Sequence, residues 1–158
     1  MKSNDLSYSF SVDKSPEEVF SAIKDVRSWW SQGIEGKTGK VGDVFTYRHR
    51  DMHYSTQKLV EVEPDAKLVW LVTDARLTFT KNQREWEGTK IMFEIARKGS
   101  KTEVRFTHVG LNDEHECFNA CSEGWGFYVK DSLRKLITTG KGDPDTKANK
   151  RPAQEQHV

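Results

Sequence analysis

CFNACSEGWGFYVKDSLRKLI, residues 117 to 137, decides how this chain is read. At about 100° per residue, Phe118, Cys121, Trp125, Val129, Ser132, Leu133 and Leu136 fall on one stripe. Tyr128 lies at its edge and Phe127 on the far side. The pattern predicts an amphipathic helix from about Asp113 to Thr139, ended by Gly140. At 1.5 Å per residue such a helix is about 38 Å long. Gly124 and Gly126 flank Trp125, although each glycine costs about 1 kcal/mol against alanine inside a helix. Either close neighbours leave no space for a side chain there, or the missing side chains make room for a ligand beside Trp125.

Upstream, the chain reads as one strand, two helices and a run of strands. In LSYSFSV, Leu6, Tyr8, Phe10 and Val12 alternate with serine and mark a half-buried strand. Ser15, Pro16 and Glu18 have the spacing of a capping box opening a helix whose stripe is Val19, Phe20 and Ile23. Val26 to Ser31 suggests a second short helix carrying Trp29 and Trp30. Glycines 33, 36, 39 and 42 punctuate a loop. DVFTYRHR then places Phe45, Tyr47 and His49 on one face, and STQKLVEVEP is stopped by Pro64. KLVWLVT sets Leu68, Trp70 and Val72 against Val69 and Leu71, which suggests burial on both sides. GTKIMFEIARKG and KTEVRFTHVG meet at a tight hairpin around Lys98, Gly99 and Ser100, and Val104, Phe106 and His108 share a face. Arg76 to Trp86 has no clear period and reads as a flexible extension between strands. Segregated runs of this kind indicate an α+β fold, with the long helix covering the apolar face of an antiparallel sheet.

Composition bounds the function. The chain has 158 residues, enough for one domain with a substantial core. It is 35% hydrophobic and 31% charged, and five tryptophans, four tyrosines and eight phenylalanines make that core credible. A net charge of +1 gives no field that would favour nucleic acid or an anionic membrane. No apolar run approaches the roughly 20 residues of a membrane span, and MKSNDLSYSF lacks a signal core. A cytoplasmic protein without membrane insertion is expected, with Cys117 and Cys121 as reduced thiols.

Five stretches, in order, carry a resemblance: SPEEVFSAIKDVRSWW (15–30), GKVGDVFTYR (39–48), VEVEPDAKLVW (60–70), RFTHVGL (105–111) and SEGWGFYVKDSLRKLITTG (122–140). Together they resemble the family named after the C-terminal domain of the activator of Hsp90 ATPase. That family belongs to the START-like (SRPBCC, Bet v 1-like) helix-grip superfamily. The resemblance implies a curved antiparallel sheet gripping the last helix around an apolar pocket. It implies a START-like domain over residues 1–140; residues 141–158, poor in apolar groups, read as a disordered tail. The eukaryotic co-chaperone has a separate N-terminal domain that engages Hsp90. No such domain is seen in these 158 residues, so direct stimulation of Hsp90 is not expected. RHRDMHYS also departs from the small glycine-containing turn of many relatives.

The inward aromatics Phe45, Tyr47, Trp70, Phe93, Phe106 and Trp125 are either ordinary core or the lining of a ligand site. His49 and His108 are the inward polar candidates: satisfied core histidines, ligand-orienting groups or, least favoured, a general base. No second residue that would orient either imidazole is evident. Phe118 and Cys121 complete the candidate ligand-binding set from the helix. His115, Cys117 and Cys121 do not suit a metal, because His115 and Cys117 point about 160° apart on a helix. The basic clusters at Arg97–Lys101 and Lys147–Arg151 lack the stacking aromatics of nucleic-acid sites. Phosphate loops and nucleophile elbows are absent. The expected function is binding of a hydrophobic or aromatic small molecule between sheet and helix, with no catalytic residue, metal or cofactor. The alternatives are a stress-related interaction module with a chaperone partner, and a cyclase-like enzyme using the same pocket. A homodimer is a further expectation.

Overall fold

Leu6–Val12 forms strand β1, its residues alternating between the two faces as the sequence pattern requires. The computed structural model describes residues 5–49, 53–78, 80–81, 83–112 and 118–144. Helix α1, Pro16–Lys24, opens on the expected box. The Glu18 N–H donates to Ser15 Oγ at 3.1 Å, and the Ser15 N–H donates to Glu18 Oε1 at 3.0 Å. Val19, Phe20 and Ile23 turn inward. Helix α2, Val26–Trp29, is a single turn that delivers Trp29 and Trp30 to the interior. The Trp29 indole is satisfied by the Ile23 carbonyl at 3.0 Å.

Six more strands follow: β2 Glu35–Gly36, β3 Val44–His49, β4 His53–Glu63, β5 Lys67–Leu77, β6 Lys90–Lys98 and β7 Lys101–Val109. They form one antiparallel sheet in the order β1-β7-β6-β5-β4-β3-β2. The β6–β7 hairpin turns at Gly99, whose φ of +63° suits glycine. Two register shifts, between Thr56 and Gln57 and between Leu59 and Glu61, interrupt the β4–β5 pairing. Bulges bend and twist the strands that carry them. The inward set Leu68, Trp70 and Val72 appears as the alternation predicts. On the other face Val69 is buried and Leu71 half-buried.

The last helix is continuous but not uniform. Helix α3, Phe118–Trp125, passes into a π-helical segment, Gly126–Leu133, and then into helix α4, Arg134–Thr139, which stops at Gly140 in the left-handed conformation. The expected residues 113–117 of this helix lie outside the described residues. The π segment corrects the wheel. Ile137, not Leu136, is buried, and the buried positions run 121, 125, 129, 133, 137 with Ser132 beside them. In a uniform α-helix every fourth residue drifts around the axis. A π turn holds more residues, because its bonds reach one residue further back, and this reverses the drift. The seam therefore stays on one face.

Arg76–Trp86 is also corrected. Its first residues belong to β5, and Leu77 and Trp86 are buried. The segment is tied back to β5: the Leu77 N–H donates to the Gln83 carbonyl at 2.8 Å, and the Gly88 N–H donates to the Val72 carbonyl at 2.9 Å. These bonds turn Trp86 inward. Just beyond Gly140, the Asp143 N–H donates to Ser132 Oγ at 2.7 Å. Residues 145–158 of the expected tail lie outside the described residues. The architecture is an α+β helix-grip fold, a curved antiparallel sheet around the C-terminal helix.

Candidate functional site

The inner face of β4 is unusual because it is polar. His53, Ser55 and Gln57 alternate inward, ahead of the apolar Leu59. Register places them against Tyr47 and Phe45 of β3 and Ala75 and Val72 of β5. Ser55 and Gln57 are 0% exposed. Ser55 Oγ, Gln57 Nε2 and Oε1, and His53 Nε2 are buried without a hydrogen-bond partner among the described residues. The indole nitrogens of Trp70 and Trp86 share that condition. Nearly all buried polar groups in proteins are paired, so five such side chains on neighbouring elements form a meaningful cluster. Burial, and secondarily the neighbouring His49, push the His53 imidazole down to about 3, so it is neutral near pH 7.

Aromatic rings enclose this row in a closed circuit. Trp30 stacks on Tyr47 at 4.7 Å, Tyr47 meets His53 edge-on at 5.1 Å, and His53 meets Trp86 at 4.4 Å. Trp86 stacks on Trp125 at 5.9 Å, and Trp125 returns to Trp30 at 5.0 Å. The elements that build the circuit are α2, β3, β4, the segment after β5, and α3. At its base, Ser55 and Ala75 are the smallest inward side chains of adjacent strands.

His108 is tied into the same wall. Its Nδ1 accepts from the Trp125 indole N–H at 3.1 Å. Indole is only a donor, so the ring proton sits on Nε2. Nε2 donates to Thr89 Oγ1 at 2.8 Å, and Thr89 in turn donates to the Trp86 carbonyl at 2.6 Å. Two residues thus orient this imidazole, although neither relationship is evident in the sequence. With both nitrogens engaged inside the chain, His108 holds Trp86 and Trp125 in place.

The other candidates fall around this centre. Phe45, Trp70, Phe93 and Phe106 are fully buried and pack in sequence, Phe45 on Trp70 at 5.1 Å, Trp70 on Phe93 at 5.4 Å and Phe93 on Phe106 at 5.3 Å. Phe106 reaches Trp125 at 4.8 Å. His49 is half-buried and pairs with His53 across the hairpin, whose tip, residues 50–52, is outside the described residues. Phe118 is half-buried at the start of α3, and Cys121 is buried one turn before Trp125. Sequence reading missed His53, Ser55, Gln57, Trp86 and Thr89. The signal for β4 was present: counting back by two from Leu59 aims all three polar residues inward.

Among the described residues no group of three metal-ligating side chains comes together; His115 and Cys117 lie outside them. The β6–β7 hairpin's basic residues have acidic neighbours, Lys98 with Glu103 at 3.7 Å and Lys101 with Asp13 at 3.0 Å. Lys147–Arg151 is outside the described residues. Among the described residues no helix is long and apolar enough to cross a membrane.

A family model described as activator of Hsp90 ATPase homolog 1-like protein matches residues 13–138. No curated protein sequence gives a significant match. Among solved structures, the chain is similar to Aha1 from Colwellia psychrerythraea, solved as a dimer in solution. The TM-score is 0.70 at 24% identity, covering 87% of this chain and 98% of that one. It is similar to SSP2350 from Staphylococcus saprophyticus, with TM-score 0.66 and 17% identity over 90% of this chain and 98% of that one. It also resembles DynU16, a protein of the dynemicin biosynthetic locus, with TM-score 0.62 and 16% identity over 89% of this chain and 49% of that one. At these identities the likeness shows the shared fold. The family match runs from the turn before α1 to the last turn of α4, and the chain belongs to the activator of Hsp90 ATPase homolog 1-like family.

Proposed function

We propose that this protein binds an apolar or aromatic small molecule between β4, β5, α2 and the C-terminal helix. The observation that carries the reading is the cluster of unpartnered polar atoms on His53, Ser55, Gln57, Trp70 and Trp86, inside a wall of aromatic rings. Leaving a buried donor or acceptor unmade costs about 1–3 kcal/mol. A fold that concentrates five such side chains in one place is suited to a partner from outside the chain. Tyr47, Trp70 and Trp125 are the expected site residues nearest that cluster. Phe45, Phe93, Phe106 and Phe118 would act as outer packing, with His49 and Cys121 at the rim and His108 holding Trp86 and Trp125 in place. DynU16, with the same fold, is a protein of the dynemicin biosynthetic locus. No catalytic step is assigned. Native mass spectrometry of freshly purified protein tests the reading, with a co-purified mass of small-molecule size as the expected result. Bare chain alone, with tryptophan fluorescence unmoved by a small-molecule extract of the same cells, overturns it.

The interaction reading has its own support. Val41, Val44 and Val60 are exposed near the β2–β3 end of the sheet, and the Colwellia relative is a dimer. We propose a homodimer through this edge, in a cytoplasmic setting. A chaperone as a further partner would use the same apolar surface.

A further inference from the structure

We propose that the polar end of the ligand is uncharged and carries both a hydrogen-bond donor and an acceptor, as in a carboxamide, lactam or unionised carboxyl group, and that Gln57 reads it. This rests on the ligand-binding reading above and specifies its chemistry. The Gln57 amide offers two donors on Nε2 and an acceptor on Oε1, and both atoms are buried and unpartnered. Its complement must therefore accept and donate at once. The neighbouring groups fit the same end. Ser55 Oγ can do either, while the Trp70 and Trp86 indoles can only donate, which suits a carbonyl oxygen with two lone pairs. The position of Gln57 is also special. It stands at the register shift between Thr56 and Gln57, and bulges re-aim side chains beside sites.

Charge excludes the alternatives. The buried polar side chains among the described residues are serine, threonine, glutamine and histidine, with no lysine, arginine, aspartate or glutamate. The enclosed Glu87 Oε2 is already engaged by Arg84 at 2.6 Å. His53 is held neutral by its burial, so it supplies no cation for a carboxylate. An ionised group entering this wall would lose its hydration without a counter-charge, at a cost well above that of an amide. A ligand with an acceptor alone would leave the Gln57 donors unmade.

Three probes of nearly equal shape separate these cases: 2-naphthamide, 2-acetonaphthone and 2-naphthoate, which are respectively donor and acceptor, acceptor only, and anionic at pH 7.5. Each is titrated into the isotope-labelled full chain, following the indole N–H resonances by NMR. The amide is expected to bind at least about tenfold more tightly than either of the others, since tenfold corresponds to one modest hydrogen bond. The Trp70 and Trp86 signals should move. In Gln57→Leu, amide and ketone should bind within about twofold of each other. A preference below tenfold over either probe in the wild type overturns the proposal. So does an amide preference that survives Gln57→Leu. If none of the three binds, the small-molecule reading itself falls.

Discussion

Gln57 is the residue at which the proposed site most directly costs the fold stability. Its amide is fully buried with neither polar atom paired among the described residues. Gln57→Leu keeps a side chain of broadly similar volume and removes both polar atoms. It should stabilise the ligand-free protein by about 1–3 kcal/mol, the cost of an unmade buried hydrogen bond. Urea denaturation at pH 7 measures this, and a loss of more than about 1 kcal/mol would show that Gln57 is well paired in solution. His53 gives a second prediction, with a definite sign. Its native value near 3 lies below the ordinary 6.5, so the unfolded chain takes up a proton before the native state does. The stability it contributes is present above about pH 6.5 and is lost as pH falls from there toward 3. His53→Leu should therefore lose less stability than the wild type between pH 7 and pH 4 in parallel denaturation series. Equal losses would show that His53 is hydrated in the native state. These residues were not legible as a site because polar side chains in a strand ordinarily point to water. Only the period of two from Leu59 reveals that they do not.

The elements were far more legible than the site. Alternation, the capping box at Ser15 and the glycine hairpin each fix a local conformation through nearby residues, and each appears where its pattern places it. The last helix was legible in its existence and its first half. In its second half Val129, Ser132 and Leu133 turn inward as the stripe places them, and only the last turn was missed, because a wheel assumes one pitch and the π segment from Gly126 to Leu133 changes it, so that Ile137 is buried where Leu136 was expected. The segment begins at one of the two glycines, and the two differ. A Cβ at Gly124 would meet nothing within 4 Å. A Cβ at Gly126 would lie 3.2 Å from the Tyr8 hydroxyl and 3.5 Å from its ring. The close neighbour is thus edge strand β1, and the Trp29–Trp30 turn is not among the atoms that a Cβ would meet. Tyr8 cannot readily yield: its hydroxyl donates to the Ser122 carbonyl at 2.7 Å, and its ring stacks on Phe106 at 6.3 Å. Gly124→Ala should stabilise by about 0.4–1 kcal/mol through the unfolded state. Gly126→Ala should destabilise by about 1–3 kcal/mol through crowding. The opposite signs make thermal denaturation sufficient. Stabilisation by both would show that Tyr8 moves aside freely and that the helix does not depend on its close approach to β1.

At the scale of the molecule, the order of elements determined the fold, while long-range ties escaped the sequence. Trp86 is the clearest case: its segment lacks a period because it is held by backbone bonds to β5, not by an amphipathic face. The stretch after Gly140 is another. Composition assigns residues after Gly140 to a tail because they bring almost nothing apolar to bury. Composition does not register backbone hydrogen bonds. Ser132 Oγ donates to the Trp29 carbonyl at 2.8 Å and accepts the Asp143 N–H at 2.7 Å, joining α2, the π segment and the stretch after Gly140 at one hydroxyl. A Cβ on Gly142 would fall 2.5 Å from the Ser28 carbonyl and 2.9 Å from that of Ser132, so the backbone passes closely between the two elements. The Lys135–Asp143 pair at 3.4 Å is exposed on both sides and adds little. Truncation after Pro144 should then leave the melting temperature unchanged. Truncation after Gly140 removes the Asp143 bond and should cost about 0.5–1.5 kcal/mol, the net worth of one hydrogen bond. For a domain of this size that corresponds to a fall of a few degrees. Because Trp30 of the aromatic circuit directly follows Trp29, truncation after Gly140 should also perturb the Trp30 indole resonance, whereas truncation after Pro144 should not. Identical melting curves and spectra for the two truncations would show that the Asp143 contact does not hold the last helix to α2.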